Sequence, residues 1–283
     1  MAFNYLRTVL AALALLASFG CKKNISSESP IMAARQGKTV EKTAAPYDTG
    51  TKTIHIFVAL CDNKYQGIVP VPAGIGNGQD PNNNLYWGCG YGIRTYFKKS
   101  KDWKFLKSTK PGGHILERLV FKHATKPNQY LVADAYDGQF IKECITDFLN
   151  SSAGNRNETL DINGTVIGIG GNAQLLSYIG HDGLMDFELD DTFKNTDGKK
   201  RDVIILACFS KSYFGPHLEE ANVNPVVWSS HLMAPEAYIV HDAITGYLEG
   251  ETNEQVRTRA AKAYNKYQKC GEKAARKLLI TGW

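Results

Sequence analysis

The chain has 283 residues, 43% of them hydrophobic and 22% charged, an ordinary globular composition with ample material for a buried core. Lys and Arg number 33 against 28 Asp and Glu, a formal net charge of +5. That surplus is too small and too scattered along the chain to argue for a nucleic-acid partner.

Met1 to Arg7 carries one positive charge, and Val9 to Phe19 follows as an uncharged apolar run of eleven residues. Such a run is too short to span a bilayer and has the length of the apolar region of an export signal. It stops at Ser18-Phe19-Gly20-Cys21, followed by Lys22 and Lys23. A small residue just before a cysteine at this point resembles the lipobox of bacterial lipoproteins, with Phe19 and Ser18 standing where that pattern has a smaller residue and a leucine. The resemblance implies cleavage after residue 20, lipid on Cys21 and a cell-envelope location. A plain secretory signal cleaved nearby is the alternative, and both imply export. Residues 22 to about 50 are rich in Lys, Ser, Thr, Ala and Gly, with Pro30 and Pro46, and read as a tether. Residues 51–283 then form a single domain, with no further apolar run long enough to cross a membrane. Of six cysteines, Cys61, Cys89, Cys144, Cys208 and Cys270 remain once Cys21 carries lipid. An odd number in an oxidising compartment leaves at least one thiol unpaired or paired between molecules. No pair has zinc-site spacing, and no metal or cofactor is expected.

The elements alternate strand and helix, which predicts an α/β fold with a mainly parallel sheet flanked by helices. Thr53 to Cys61 reads as a strand and Asp62 to Pro72 as the loop leaving it. Gly74 to Asn84 is a second loop, dense in Gly, Asn and Pro. Leu85 to Lys99 has helical spacing, with Tyr86, Trp87 and Tyr91 as core or crevice wall. Arg118 to His123 and Tyr130 to Tyr136 read as strands, and a helix from Gly138 to Asn150 places Phe140, Ile141, Cys144, Ile145 and Phe148 on one face. Asn163-Gly164 between Leu160-Asp161-Ile162 and Thr165-Val166-Ile167 predicts a small β-hairpin insertion. Gly168-Ile169-Gly170-Gly171 lacks the Gly-Lys-Ser/Thr ending of a phosphate loop and precedes a strand, so that reading is rejected. The apolar runs Leu175 to Gly180 and Val203 to Ala207 read as buried parallel strands, separated by a polar insert from Glu188 to Arg201. A helix near Tyr213 to Ala221, a strand from Pro225 to His231, a helix from Glu236 to Leu248 and a long basic helix from about Asn253 to Leu279 complete the chain.

The two buried runs end in reactive residues, His181 and Cys208. Ligands of open α/β sheets bind beyond the carboxyl ends of the strands, and a thiol beside an imidazole is the minimal pair for a cysteine nucleophile with its base. An apolar strand ending in His with a nearby Gly, then a second ending in Ala-Cys, resembles the caspase–legumain–gingipain group of cysteine peptidases (clan CD). The likeness follows element order over about Thr53 to Gly250, and its motif identity is limited to about twenty residues. It implies a caspase-like sheet, His181 as base, Cys208 as nucleophile, and an oxyanion site from the Gly183 and Cys208 backbone amides. The group has Gly directly after His, whereas Asp182 intervenes here. Asp182 and Asp186 are candidates to orient the imidazole. Asp62 and Asn63, which leave the first strand toward the same crevice, are candidate substrate-binding residues. Val226-Val227-Trp228-Ser229-Ser230 resembles the strand lining the specificity pocket, which makes Trp228, Ser229 and Ser230 candidates too, with His231, Glu236 and Asp242 nearby.

The expectation is therefore an exported, lipid-anchored cysteine peptidase-like protein acting on a peptide or protein, with no nucleic-acid partner. Two alternatives stay open: a non-catalytic binding module on the same fold, and a thiol amidase acting on cell-envelope material.

Overall fold

The computed structural model describes residues 46–283. The expected export signal, Cys21 and most of the expected tether lie outside the described residues. The main sheet has eight strands: β1 (Lys52–Ala59), β2 (Trp103–Thr109), β3 (Ile115–His123), β4 (Gln129–Tyr136), β7 (Leu175–Ile179), β8 (Arg201–Leu206), β9 (Val223–Ser229) and β10 (Leu279–Ile280). Their spatial order is β10-β9-β8-β7-β1-β4-β3-β2. From β9 to β4 every pairing is parallel, whereas β10, β3 and β2 run antiparallel to their neighbours. A separate hairpin joins β5 (Asn157–Ile162) and β6 (Thr165–Gly170).

Two-sided burial explains the near-continuous apolar strands. Along β1, Ile54, Ile56 and Val58 face one side, covered by α1 (Ile93–Lys99), α4 (Ala237–Leu248), α5 (Asn253–Gln268) and α6 (Glu272–Leu278). Phe57 and Ala59 face the other, covered by α2 (Ile141–Ala153) and α3 (Ser210–Leu218). The fold is thus α/β, with a mixed, mostly parallel sheet flanked by helices. Among the described residues no helix is long and apolar enough to cross a membrane.

The hairpin turns at Asn163 and Gly164, both at positive φ (53° and 89°), as a tight Asn-Gly turn requires. It packs Ile162, Ile167 and Ile169 on Val120, Tyr130 and Val132 of β3 and β4. Tyr47 already touches the hairpin beside Gly168, and the Asp48 N–H donates to Val166, so the domain starts a few residues before residue 51.

Five elements differ from the sequence reading. Only the end of Leu85 to Lys99 is helical. Asn84 holds the preceding turns, accepting the N–H groups of Cys61 and Tyr86 and donating to the Cys61 carbonyl. The closing helix is two helices, broken where Lys269 and Gly271 take positive φ (55° and 89°). α3 starts at Ser210 rather than Tyr213 and carries Pro216 inside it. The edge strands β2 and β10 add to the expected set.

Beneath the hairpin lies a buried polar network. Asp134 on β4 is fully buried, accepts two hydrogen bonds from Arg118 at 2.7 and 2.6 Å, and meets His55 Nε2 at 3.0 Å. The Gly170 N–H donates to His55 Nδ1 at 3.0 Å, which assigns the ring proton to Nε2 and ties the hairpin to β1. Arg156 extends the network by pairing with Glu158 and Asp147. Burial alone would raise the Asp134 carboxyl, but His55 and Arg118 outweigh it and hold it at about 2. A depressed folded value stabilises the fold above the unfolded value of about 3.9, and that contribution is lost as pH falls through about 2. Asp134→Asn leaves Arg118 buried without its counter-charge and is expected to cost about 3–5 kcal/mol in urea unfolding at pH 7. The gap between the two chains should narrow below pH 4 in the same assay.

Candidate functional site at the carboxyl edge of the sheet

The register of β7 and β8 sets the site. Their pairing runs from Leu175↔Asp202 to Ile179↔Leu206, and the Gly180 N–H adds one more bond to the Leu206 carbonyl at 3.3 Å. His181 and Cys208 each lie two residues beyond the last paired rung, so they leave adjacent strands at the same carboxyl edge. β1 flanks β7 on the other side, with Val58 opposite Ile179. The loop after Cys61 therefore departs from this edge as well.

His181 is 9% exposed, and its Nε2 meets Asp186 Oδ2 at 2.7 Å. The Gly67 N–H donates to the same oxygen at 2.9 Å. A Cβ on Gly67 would collide with the Asp186 carboxylate, so only glycine lets the loop approach this closely. An acceptor at Nε2 puts the ring proton there and leaves Nδ1 as the basic nitrogen, without a hydrogen-bond partner among the described residues. The Tyr178 hydroxyl donates to the His181 carbonyl at 2.6 Å and fixes the main chain behind the ring. Of the two candidate orienting acids, Asp186 makes the contact.

Asp182 takes a different place. Its side chain caps the short 3-10 turn Gly183–Met185, accepting the Leu184 N–H at 3.1 Å. Its second carboxylate oxygen is buried and has no partner among the described residues. Burial pushes the Asp182 carboxyl up to about 7, against the pull of the Leu184 N–H and with the Asp186 charge adding to the rise. Gly183 is packed against the Phe187 ring and Ile145, where a Cβ has no room.

Cys208 sits at the junction of β8 and α3. Phe209, the next residue, adopts left-handed backbone angles (φ 48°, ψ 29°) at the helix start, a strained conformation for a bulky side chain. The Phe209 N–H donates to the His231 carbonyl at 3.0 Å, which holds this elbow closed. The Cys208 sulfur lies 3.6 Å from the Met233 carbonyl and 3.4 Å from the Met233 N–H that donates to it. Burial raises the thiol above its ordinary range, the Met233 N–H opposes the rise, and the Asp182 charge adds to it. All five described cysteines are free thiols. Cys61 and Cys144 are fully buried, and burial pushes them up to about 11 and well above the usual range respectively. Cys208 is only partly buried and stands at the strand edge.

The N–H groups of Gly183 and Cys208, the two expected oxyanion donors, donate to no acceptor among the described residues.

The remaining candidates are occupied elsewhere. Asp62 is 2% exposed and braces its own loop, accepting the N–H groups of Lys64 and Tyr65 and the Gln79 amide. Asn63 exchanges two hydrogen bonds with the Val71 main chain. The loop reaches the site through Gly67, not through these two side chains. Trp228 and Ser229 are fully buried, so neither lines a pocket. Ser229 Oγ bonds the Ala207 carbonyl and accepts the Ser210 N–H at 3.0 Å, joining β9 to the Cys208 elbow. Ser230 Oγ bonds His231 and the Lys277 carbonyl. Strand alternation turns these side chains inward or onto the C-terminal helices, and the exposed residues here are His231 and Leu232. Sequence reasoning missed Met233, which acts through its main chain and leaves no side-chain signal.

Among the described residues no three His, Cys, Asp or Glu side chains converge as metal ligands. No protein-family model, curated protein or solved structure matches the chain.

Replacing the buried acid tests its part in this electrostatic arrangement. A carboxyl raised to about 7 favours the fold below its unfolded value of about 3.9, and that advantage is lost as pH rises through about 7. Asp182→Asn is therefore expected to stabilise the chain at pH 8 by on the order of 2–4 kcal/mol and to do little at pH 4, as read by urea unfolding.

Proposed function

We propose that the chain is an exported, lipid-anchored, caspase-like cysteine peptidase that hydrolyses peptide bonds through Cys208 and His181. The observation that carries this reading is the β7–β8 register, which brings a thiol and an oriented imidazole to one edge beside two undonated amides. His181 Nδ1 takes the thiol proton, and the Cys208 sulfur bonds to the substrate carbonyl carbon. The N–H groups of Gly183 and Cys208 hold the resulting oxyanion. Collapse breaks the C–N bond as the imidazolium protonates the leaving amine. Water, deprotonated by His181, then attacks the thioester, which releases the acid and restores the thiol.

Asp186 is a positioning residue in this scheme, because it holds the ring tautomer and touches no reacting atom. Asp182 bears on the nucleophile through its field. Its ionisation near pH 7 opposes thiolate formation at Cys208.

The binding-module reading draws on one specific observation. The Cys208 thiol is raised and clipped to the Met233 main chain, as a packed thiol would be. The amidase reading uses the same two residues on a non-protein amide. Turnover separates the three. Cys208→Ala is expected to abolish labelling by a thiol-reactive peptide probe and to lower peptide hydrolysis by about 10³-fold or more, and His181→Ala by about 10²–10⁴-fold. A Cys208→Ala chain that keeps its full activity would exclude the dyad. Parent protein that cleaves envelope fragments and no peptide would favour the amidase.

A further inference from the structure

Outside the closing helices α5 and α6, one stretch of the chain is strongly basic. Lys98 to Lys110 holds six lysines and one acidic residue, Asp102, so the stretch carries a surplus of five, equal to that of the whole chain. The stretch runs from the end of α1 through β2, the outermost strand of the sheet, whose only neighbour among the described residues is β3. Lys98, Lys99, Lys101, Lys104 and Lys110 are exposed. Lysines on an outer strand have a plain role, since they deter pairing with another edge. Two features of β2 go against a purely protective edge. The pairing slips between Phe105 and Lys107, so Leu106 is the extra residue of a bulge and stands 41% exposed. Phe105 beside it is 42% exposed, with the Lys98 ammonium 4.2 Å above its ring. A protective edge would not display Phe and Leu side by side at its centre.

We infer that this edge is a docking surface for an anionic phospholipid bilayer, with Phe105 and Leu106 entering the headgroup region and the lysines meeting lipid phosphates. Paired apolar tips within a lysine cluster combine the two attractions that hold proteins at such an interface, buried apolar area and charge. A soluble polyanion uses the charge alone and gives Phe105 and Leu106 nothing to enter. β2 is four strands from β7, about 19 Å at usual strand spacing, so docking leaves the His181–Cys208 edge open to solvent. The inference needs neither the peptidase reading nor lipid on Cys21.

The test uses the full chain with Cys21→Ser, which takes no lipid, in co-sedimentation with vesicles. Phosphatidylcholine vesicles give the baseline, including any contribution of the N-terminal apolar run, and vesicles with an equal share of phosphatidylglycerol give the signal. The signal should exceed the baseline by about tenfold or more at low salt and fall as salt rises. A chain that also carries Lys99→Gln, Lys101→Gln, Lys104→Gln and Lys110→Gln should lose about tenfold or more of that excess. Leu106→Ser should lose a severalfold part of it with every charge kept. These positions are exposed, and an unchanged Tm checks that each variant is folded. Equal binding to both vesicle types overturns the inference, as does a lysine variant that binds like its parent. Self-association of the lysine variant with unchanged vesicle binding would return the lysines to edge protection. A soluble polyphosphate that binds the parent when anionic vesicles do not would replace the bilayer as partner.

Discussion

The Gly180 N–H bonded to the Leu206 carbonyl at 3.3 Å closes the ladder between β7 and β8, one residue before His181 and two before Cys208. A parallel ladder has one register that keeps both apolar faces buried, and a slip of one residue would turn Ile179 and Leu206 from one core to the other. The imidazole and the thiol therefore share an edge because the core is well packed. Gly180 also sits where a side chain could not, with φ at 154° and the Ala59 carbonyl of β1 against it. Three strands thus end together, and the loops that leave them at Cys61, His181 and Cys208 form one rim.

The polar chemistry of the rim follows from which groups the fold leaves unpaired. Asp186 is held by the His181 ring and the Gly67 amide, and it works as a fixed acceptor. Asp182 has one oxygen bonded and one without a partner among the described residues, and burial keeps it protonated to near neutrality. The Asp134 network is the contrast. Two cationic or donating partners hold that carboxylate ionised although it is fully buried. An acid in the core is thus kept charged by Arg118 and His55, while one at the carboxyl edge of the sheet is left close to its titration point.

How much of this was legible depended on the scale of the interaction. β1, β7 and β8 are continuous apolar runs and could be read directly, as could the Asn163-Gly164 hairpin, because local chemistry decides both. That His181 and Cys208 leave adjacent strands at the same edge followed from strand adjacency in a parallel sheet. The helix expected from Leu85 did not form before Ile93, since Asn84 takes the chain through turns by a contact with Cys61 that is distant in sequence. The break at Lys269 and Gly271 is set by backbone conformation, and lysine gives little warning of a positive φ. Trp228 and Ser229 look like pocket residues in a run of five, yet β9 lies between β8 and β10, and pairing on both sides leaves them inside. Asp186 as the partner of His181 needed the 3-10 turn at Gly183–Met185, which folds the chain back toward the ring.

The coupling of the thiol to the imidazole is tested most directly by the rate at which a small neutral alkylating agent modifies Cys208, followed against pH. The assay is run in a chain whose other cysteines are replaced by serine or alanine, with and without His181→Ala. The account predicts that the parent is modified faster than the His181→Ala chain below the thiol's own titration, because the neighbouring ring takes the thiol proton. A single, identical rise in both chains would contradict it, since Cys208 would then titrate as an isolated buried thiol.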